Sequence, residues 1–173
     1  MMSAAVPGAI RQERLEHWVA EYSDAILRTC YLCLNDTGLA EDAMQETFLK
    51  AWKAMGNYER SRILSDRAWL MRIALNVCHD VQRSRWMRHV DARQTIEDLP
   101  PSLVAVAPED HTLRLEIGRL PEKYKQVVLM CFYQELTERE AAAALGISVS
   151  TVSKRLKKAQ ALLRSSLTEE GEP

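Results

Sequence analysis

Two short helices with a glycine between them, in the stretch TEREAAAALGISVSTVSKRLKKAQALLR at residues 137–164, constrain this chain more than any other feature. Thr137 followed by Glu140 is a capping box: the hydroxyl accepts from the glutamate amide, and the carboxylate reaches back to the threonine amide. The helix so started runs through four alanines at 141–144 to Leu145, where Gly146 can take the left-handed conformation that ends a helix and turns the chain. Ser148 caps a second helix, in which Val152, Leu156, Ala159 and Leu163 form one apolar stripe. Ser150, Lys154, Lys157 and Lys158 face the other way. Residues 150–164 hold basic side chains at 154, 155, 157, 158 and 164 and no acid, so this face repels itself unless phosphates neutralise it. Solvated charge runs are common on ordinary hairpins. Two caps, the glycine and the one-sided charge together specify a helix-turn-helix whose second helix lies on DNA.

A chain of 173 residues can hold one or two small domains. With 47% hydrophobic and 27% charged residues it is an ordinary globular sequence, and at a formal net charge of -1 any nucleic-acid binding must come from segregated charge. Residues 59–93 hold eight arginines against four acids, whereas 94–112 hold Glu97, Asp98, Glu109 and Asp110 with no Lys or Arg. The opening MMSAAVPGAIRQER lacks the pattern of a signal peptide, and no apolar run approaches the ~20 residues of a membrane span. The expected location is therefore cytoplasmic, with Cys30, Cys33, Cys78 and Cys131 as reduced thiols. Cys30 and Cys33 make a CxxC in an apolar segment without a second ligand pair, which reads as buried structural thiols, with zinc or redox chemistry as the alternative. The histidines at 17, 79, 89 and 111 have no metal-site spacing, and no paired carboxylates, nucleophile triad or phosphate-cradling glycine loop is present. No catalysis, metal or cofactor is expected.

Upstream, Leu15, Trp18, Val19, Tyr22, Ile26, Leu27, Cys30, Tyr31 and Leu34 fall at helical spacing and are expected in a core. Asn35-Asp36-Thr37-Gly38 breaks that run. In the next helix, 39–55, Met44, Phe48, Ala51 and Met55 form a core stripe, and Asp42, Gln45, Glu46, Leu49, Lys50 and Lys53 lie opposite. Leu49 inside that polar face suits a surface that docks another protein's helix, although a single exposed leucine is also ordinary. A long helix opening at Trp69 has Leu70, Ile73, Val77 and Val81 for its core, then Arg83, Arg85, Trp86, Arg88 and His89. Arginines interleaved with an aromatic suit single-stranded DNA, stacking being worth about 1–3 kcal/mol per base. Pro100, Pro101, Pro108 and the acids make an extended linker, after which a helix over 108–119 and another starting at Pro121 support the helix-turn-helix. The fold expected is all-α: small helical domains at 1–92 and 113–173, joined by an extended linker at 93–112.

LAEDAMQETFLKAWKAMGNY at 39–58 resembles the core-binding helix of bacterial sigma factors, in particular the compact extracytoplasmic-function group. WLMRIALN at 69–76 and LPEKYKQVVLM at 120–130 resemble the same family, and the likeness runs from about residue 20 to 166 with no room for the middle domain of larger members. The resemblance implies that Asp42, Gln45, Glu46, Leu49 and Lys50 dock on the clamp helices of the largest RNA polymerase subunit. It implies strand opening and downstream-element contact by Tyr58, Arg60, Arg62, Trp69, Asn76, Arg83, Arg85, Trp86 and Arg88, with Tyr58 and Asn76 at an extruded base. Upstream-element contacts fall to Ser150, Thr151, Ser153, Lys154, Arg155 and Lys158. There lysine and arginine can reach guanine edges, while Ser150 and Thr151 suit phosphates. The implied partners are the polymerase core, including the flap of the second-largest subunit, promoter DNA and an anti-sigma factor. The chain departs from the family at ERSRILSDRA, residues 59–68, which is longer than the usual loop and has no glycine. The pocket for the extruded base is then either shaped differently or dependent on Arg60 and Arg62.

One helix-turn-helix buries only about 600–1,000 Å² on DNA, and nonspecific affinity is typically ~10⁻⁴ to 10⁻⁶ M. Docking on polymerase would fix the spacing of two weak readers and make one strong one. The expected function is thus a promoter-specificity subunit. A stand-alone regulator would use the helix-turn-helix and leave the helix at 39–55 without a task; a thiol or zinc sensor would use Cys30 and Cys33.

Overall fold

Asn35 takes a left-handed φ of 51° and Asp36 accepts from the amide of Leu39 at 2.9 Å, so two residues suffice to reverse the chain between its first two long helices. The computed structural model describes residues 8–58, 65–88 and 111–170, with the side chains at 85–88, 111, 169 and 170 excepted. Among these residues there are α1 (Gly8–Leu34), α2 (Thr37–Tyr58), α3 (Asp66–Arg88), α4 (His111–Arg119), α5 (Glu122–Val128) continued by a π-helical turn (Leu129–Tyr133), α6 (Glu138–Leu145) and α7 (Val149–Glu170), and no strand. The all-α expectation holds. The linker expected at 93–112 lies outside the described residues except for its last two positions, which open α4.

Helices α1, α2 and α3 pack on one another as the N-terminal domain. Trp18, Ile26, Met55, Leu70, Met71 and Leu75 are its largest fully buried side chains. The α2 stripe is buried at Phe48, Ala51 and Met55, while Met44 is half-buried. Two expectations need correction. Val19 is exposed, because only one flank of α1 faces its neighbours. The buried face of α3 is wider than a single stripe and adds Ala68, Trp69, Met71, Ala74, Leu75 and Cys78, because α3 is packed by α1, α2 and α6 together.

In the C-terminal domain Pro121 stands at the start of α5 with φ -52°, where its missing N–H leaves no carbonyl unserved. The capping box at α6 is complete: the Glu140 amide donates to Thr137 Oγ1 at 3.1 Å, and the Thr137 amide donates to Glu140 Oε2 at 2.9 Å. Gly146 sits at φ 67°. A Cβ there would meet nothing within 4 Å, so the backbone conformation alone opposes a side chain. Gly146→Ala is expected to lower stability by about 1–2 kcal/mol, seen as a lower urea midpoint with an unchanged slope. A midpoint at the wild-type value would show that this turn does not need its left-handed residue.

Candidate functional site

Asp42, Gln45, Glu46, Leu49 and Lys50 are all exposed on one side of α2. The Lys50 ammonium lies 4.0 Å from the Asp80 carboxylate of α3, a solvent-exposed pair worth little energetically. Leu49, 54% exposed, is not solitary. It stands at the mouth of a groove of about 610 Å³ between α1 and α2, with Leu15 and Val19 on one wall and Phe48 and Trp52 on the other. Arg11 ties the walls together, donating to the Trp52 carbonyl at 2.7 Å with its guanidinium 4.8 Å from the centre of the Trp52 ring. Val19 and Met44, expected in the core from their spacing, both line this groove.

At the other end of α2, Tyr58 is half-buried between two indoles. Its ring meets Trp18 edge-on at 5.5 Å and Trp69 at 4.8 Å, and its hydroxyl donates to the Asp66 carboxylate at the start of α3. Burial first, then this hydrogen bond, pushes the Tyr58 phenol far above its usual range and keeps it a neutral donor. Trp69 is buried, with its ring packed against that of Tyr58. Asn76 and Arg83 are exposed on α3. Arg85, Trp86 and Arg88 occupy the last turns of α3, with side chains outside those described, and Arg60 and Arg62 lie outside the described residues altogether.

In the helix-turn-helix Val152, Leu156 and Ala159 are buried, as their spacing demands. Ser148 Oγ accepts from the Thr151 amide at 3.2 Å and lies 2.8 Å from the Thr151 hydroxyl, so Thr151 is already engaged within the turn. Ser150, Lys154, Lys157 and Lys158 are exposed, and Ser153 and Arg155 are half-exposed beside them. A basic face borne on a helix fixed at its start by a cap and along one side by the core is a preorganised surface for a DNA backbone and groove.

Residues 18–88 match the family described as Sigma-70 region 2, and residues 111–163 match Sigma-70, region 4. The ECF RNA polymerase sigma factor SigW of Bacillus subtilis is 30% identical over 160 residues, 84% of each chain. This chain belongs to the ECF sigma factors. CnrH of Cupriavidus metallidurans, solved in complex with the cytosolic domain of CnrY, matches with a TM-score of 0.67 at 26% identity over 93% of this chain and 91% of that one. The sigma factor RpoE of Bartonella quintana, solved with the anti-sigma factor NepR, shares the fold at a TM-score of 0.72 and 17% identity, covering 90% of this chain and 98% of that one.

As a sigma factor the protein binds RNA polymerase core and directs initiation at a specific set of promoters. That assignment leaves the stand-alone regulator and the thiol sensor without support. Cys30, Cys33 and Cys78 are buried. A hydrogen bond with Cys78, then burial, raises the Cys33 thiol, and contact with Cys30 raises Cys78. Protonated thiols are poor nucleophiles and poor ligands. No helix among the described residues of this sigma factor is long and apolar enough to cross a membrane.

Proposed function

We propose that this sigma factor divides its work among three surfaces of its own chain, over domains at 1–92 and 113–173 joined by the acidic segment 93–112. Asp42, Gln45, Glu46, Leu49 and Lys50 dock on the clamp helices of the largest polymerase subunit, with the flap of the second-largest subunit holding the C-terminal domain. The observation that carries this reading is the exposed Leu49 at the mouth of an apolar groove, surrounded by the exposed Asp42, Gln45 and Glu46. An amphipathic helix buries its apolar stripe in such a groove and sets its polar flanks against such a rim.

Strand opening falls to the region from Tyr58 to Arg88. Tyr58, supported from behind by Trp18 and Trp69, presents an aromatic edge that a displaced base can meet, while Asn76 and Arg83 offer polar contacts along α3. Arg60, Arg62, Arg85, Trp86 and Arg88 extend that surface in sequence. Lys154, Arg155 and Lys158 read base edges of the upstream element, with Ser150, Thr151 and Ser153 on the backbone. The role is one of binding and not of catalysis, and it is exercised in the cytoplasm, where polymerase and DNA meet. CnrH and RpoE are solved with CnrY and NepR, and by likeness an anti-sigma protein is proposed to cover the same surfaces here.

Run-off transcription with core polymerase on genomic fragments, with and without this protein, tests the reading, and failure to yield new start sites overturns it. In the same assay Lys154→Ala with Arg155→Ala removes two base-reading contacts worth about 1–3 kcal/mol each. Promoter selection is then expected to fall tenfold or more while co-purification with polymerase is unchanged. Loss of both together would contradict the division of labour.

A further inference from the structure

The first residue of α7 is a valine that the core leaves outside. Val149 is 46% exposed, although Val152 and Ala159 of the same helix are fully buried. Among the described residues it is the one large apolar side chain of α7 that is exposed. Helical spacing sets Val149, Ser153 and Lys157 on successive turns in one row, next to the row of Ser150, Lys154 and Lys158. Ser153 is half-exposed and the other four are exposed. Val149 therefore heads the basic face, on the edge nearest the core stripe.

Local helix chemistry does not favour a valine here. A first turn prefers acids, which answer the positive end of the helix dipole, and β-branched side chains form helices less readily than alanine or glutamate. The first turn of α7 holds no acid. A lone exposed apolar residue is ordinary elsewhere on a surface, but this one opens the helix whose N-terminal residues meet base edges in the major groove. Its placement is also fixed. The Val152 amide donates to the Ser148 carbonyl at 3.1 Å and the Thr151 amide to Ser148 Oγ at 3.2 Å, while the Ile147 amide donates back to the Ala142 carbonyl at 3.1 Å. A valine held on such a turn has few side-chain rotamers to lose on contact.

The bases offer one feature that the neighbouring lysines and arginine do not match. Hydrogen-bonding side chains distinguish the donors and acceptors of the major groove, whereas the C5-methyl group of thymine is met by apolar contact. We infer that Val149 is a specificity-determining residue whose methyl groups pack on the C5-methyl of a thymine in the upstream promoter element. The inference rests on the reading of Ser150 to Lys158 as the upstream-element surface and adds to it a base and the atom by which it is read. Removing that one methyl group from water is expected to favour thymine about fourfold over the same base without it.

Deoxyuridine tests this directly, since it differs from thymidine only in lacking the C5-methyl and pairs in the same way. Holoenzyme assembled from core polymerase and the full-length chain is titrated on a promoter found by run-off transcription, with each thymine of the upstream element replaced in turn by deoxyuridine. At one position wild-type holoenzyme is expected to bind about fourfold more weakly. Val149→Ala should weaken binding to the thymine promoter by a similar factor and bind the thymine and deoxyuridine templates equally. Val149→Thr, which keeps one of the two methyl groups, should retain part of the preference. The position is nearly half exposed, so all three proteins should share one helicity by circular dichroism and one unfolding midpoint. The inference is overturned if no thymine is methyl-sensitive, if the upstream element contains none on either strand, or if Val149→Ala keeps the full preference. Unaltered promoter selection by Lys154→Ala with Arg155→Ala would instead fail the upstream-element reading of α7, whatever the deoxyuridine templates show.

Discussion

Trp18→Ala is expected to destabilise the protein by about 3–5 kcal/mol, the range for removing a buried aromatic ring. The indole is fully buried and meets two other rings, Tyr58 edge-on at 5.5 Å and Trp69 at 5.5 Å with a tilt of 47°. Aromatic pairs of this geometry are worth about 0.5–1.5 kcal/mol beyond the area they bury. Because the hole would lie where α1, the end of α2 and the start of α3 converge, no single side chain can move in to fill it. Domains are stable by only about 5–15 kcal/mol, so the loss is a large share of the whole. With a urea slope of about 1–3 kcal/mol/M, the midpoint should drop by about 1 M or more. Trp18→Phe is the informative companion. Trp18 Nε1 is buried and has no hydrogen-bond partner among the described residues, so phenylalanine keeps a ring against Tyr58 and Trp69 and removes an unserved donor. Its loss should be well below that of alanine; equal losses would mean that ring contact contributes nothing.

That aromatic cluster also shows where sequence reading succeeds and where it stops. Signals contained within four or five residues were legible: the Thr137–Glu140 box, the left-handed Gly146 and the Ser148 cap all occur where the residue types demand them. The amphipathic stripe of α7 was legible for the same reason, since one period fixes one face. The exposed side of α2 was partly legible, because the residues 42, 45, 46, 49 and 50 are a helical face in themselves. What the pattern could not show was the second wall of the groove. Val19 is apolar at core spacing, and whether that side of α1 meets α2, α3 or solvent depends on the angle between helices rather than on α1 alone. The packing of Trp69 against Tyr58 and Trp18 is not visible in the WLMRIALN motif, since a residue shared by a motif and a core has the same letter in either role. The buried Gln134 carried no signal, because its hydrogen-bond partners Thr29 and Arg67 lie 105 and 67 residues away in sequence.

Leu49→Asp is expected to weaken binding to core polymerase about thirtyfold or more, the effect of losing a contact worth about 2 kcal/mol at the centre of an interface. The side chain is 54% exposed, so the free protein should not register the change: surface substitutions of this kind stay within about 0.5 kcal/mol. Binding is different, since the same carboxylate would have to enter the apolar groove beside Val19 and Trp52, where an unpaired charge loses its hydration. Leu49→Ala separates the two contributions, removing apolar contact without adding charge, and should fall between wild type and aspartate. Val19→Asp extends the test to the other wall. Val19 belongs to α1 and is 42% exposed, so it too is silent in the free protein, but a helix seated between α1 and α2 would meet it as directly as Leu49. A dissociation constant measured with labelled sigma factor and purified core decides among these outcomes. Loss with Leu49→Asp alone would confine the docking surface to α2, and loss with both would make the groove the seat of the partner helix. An unchanged constant with both would remove this face from the polymerase interface.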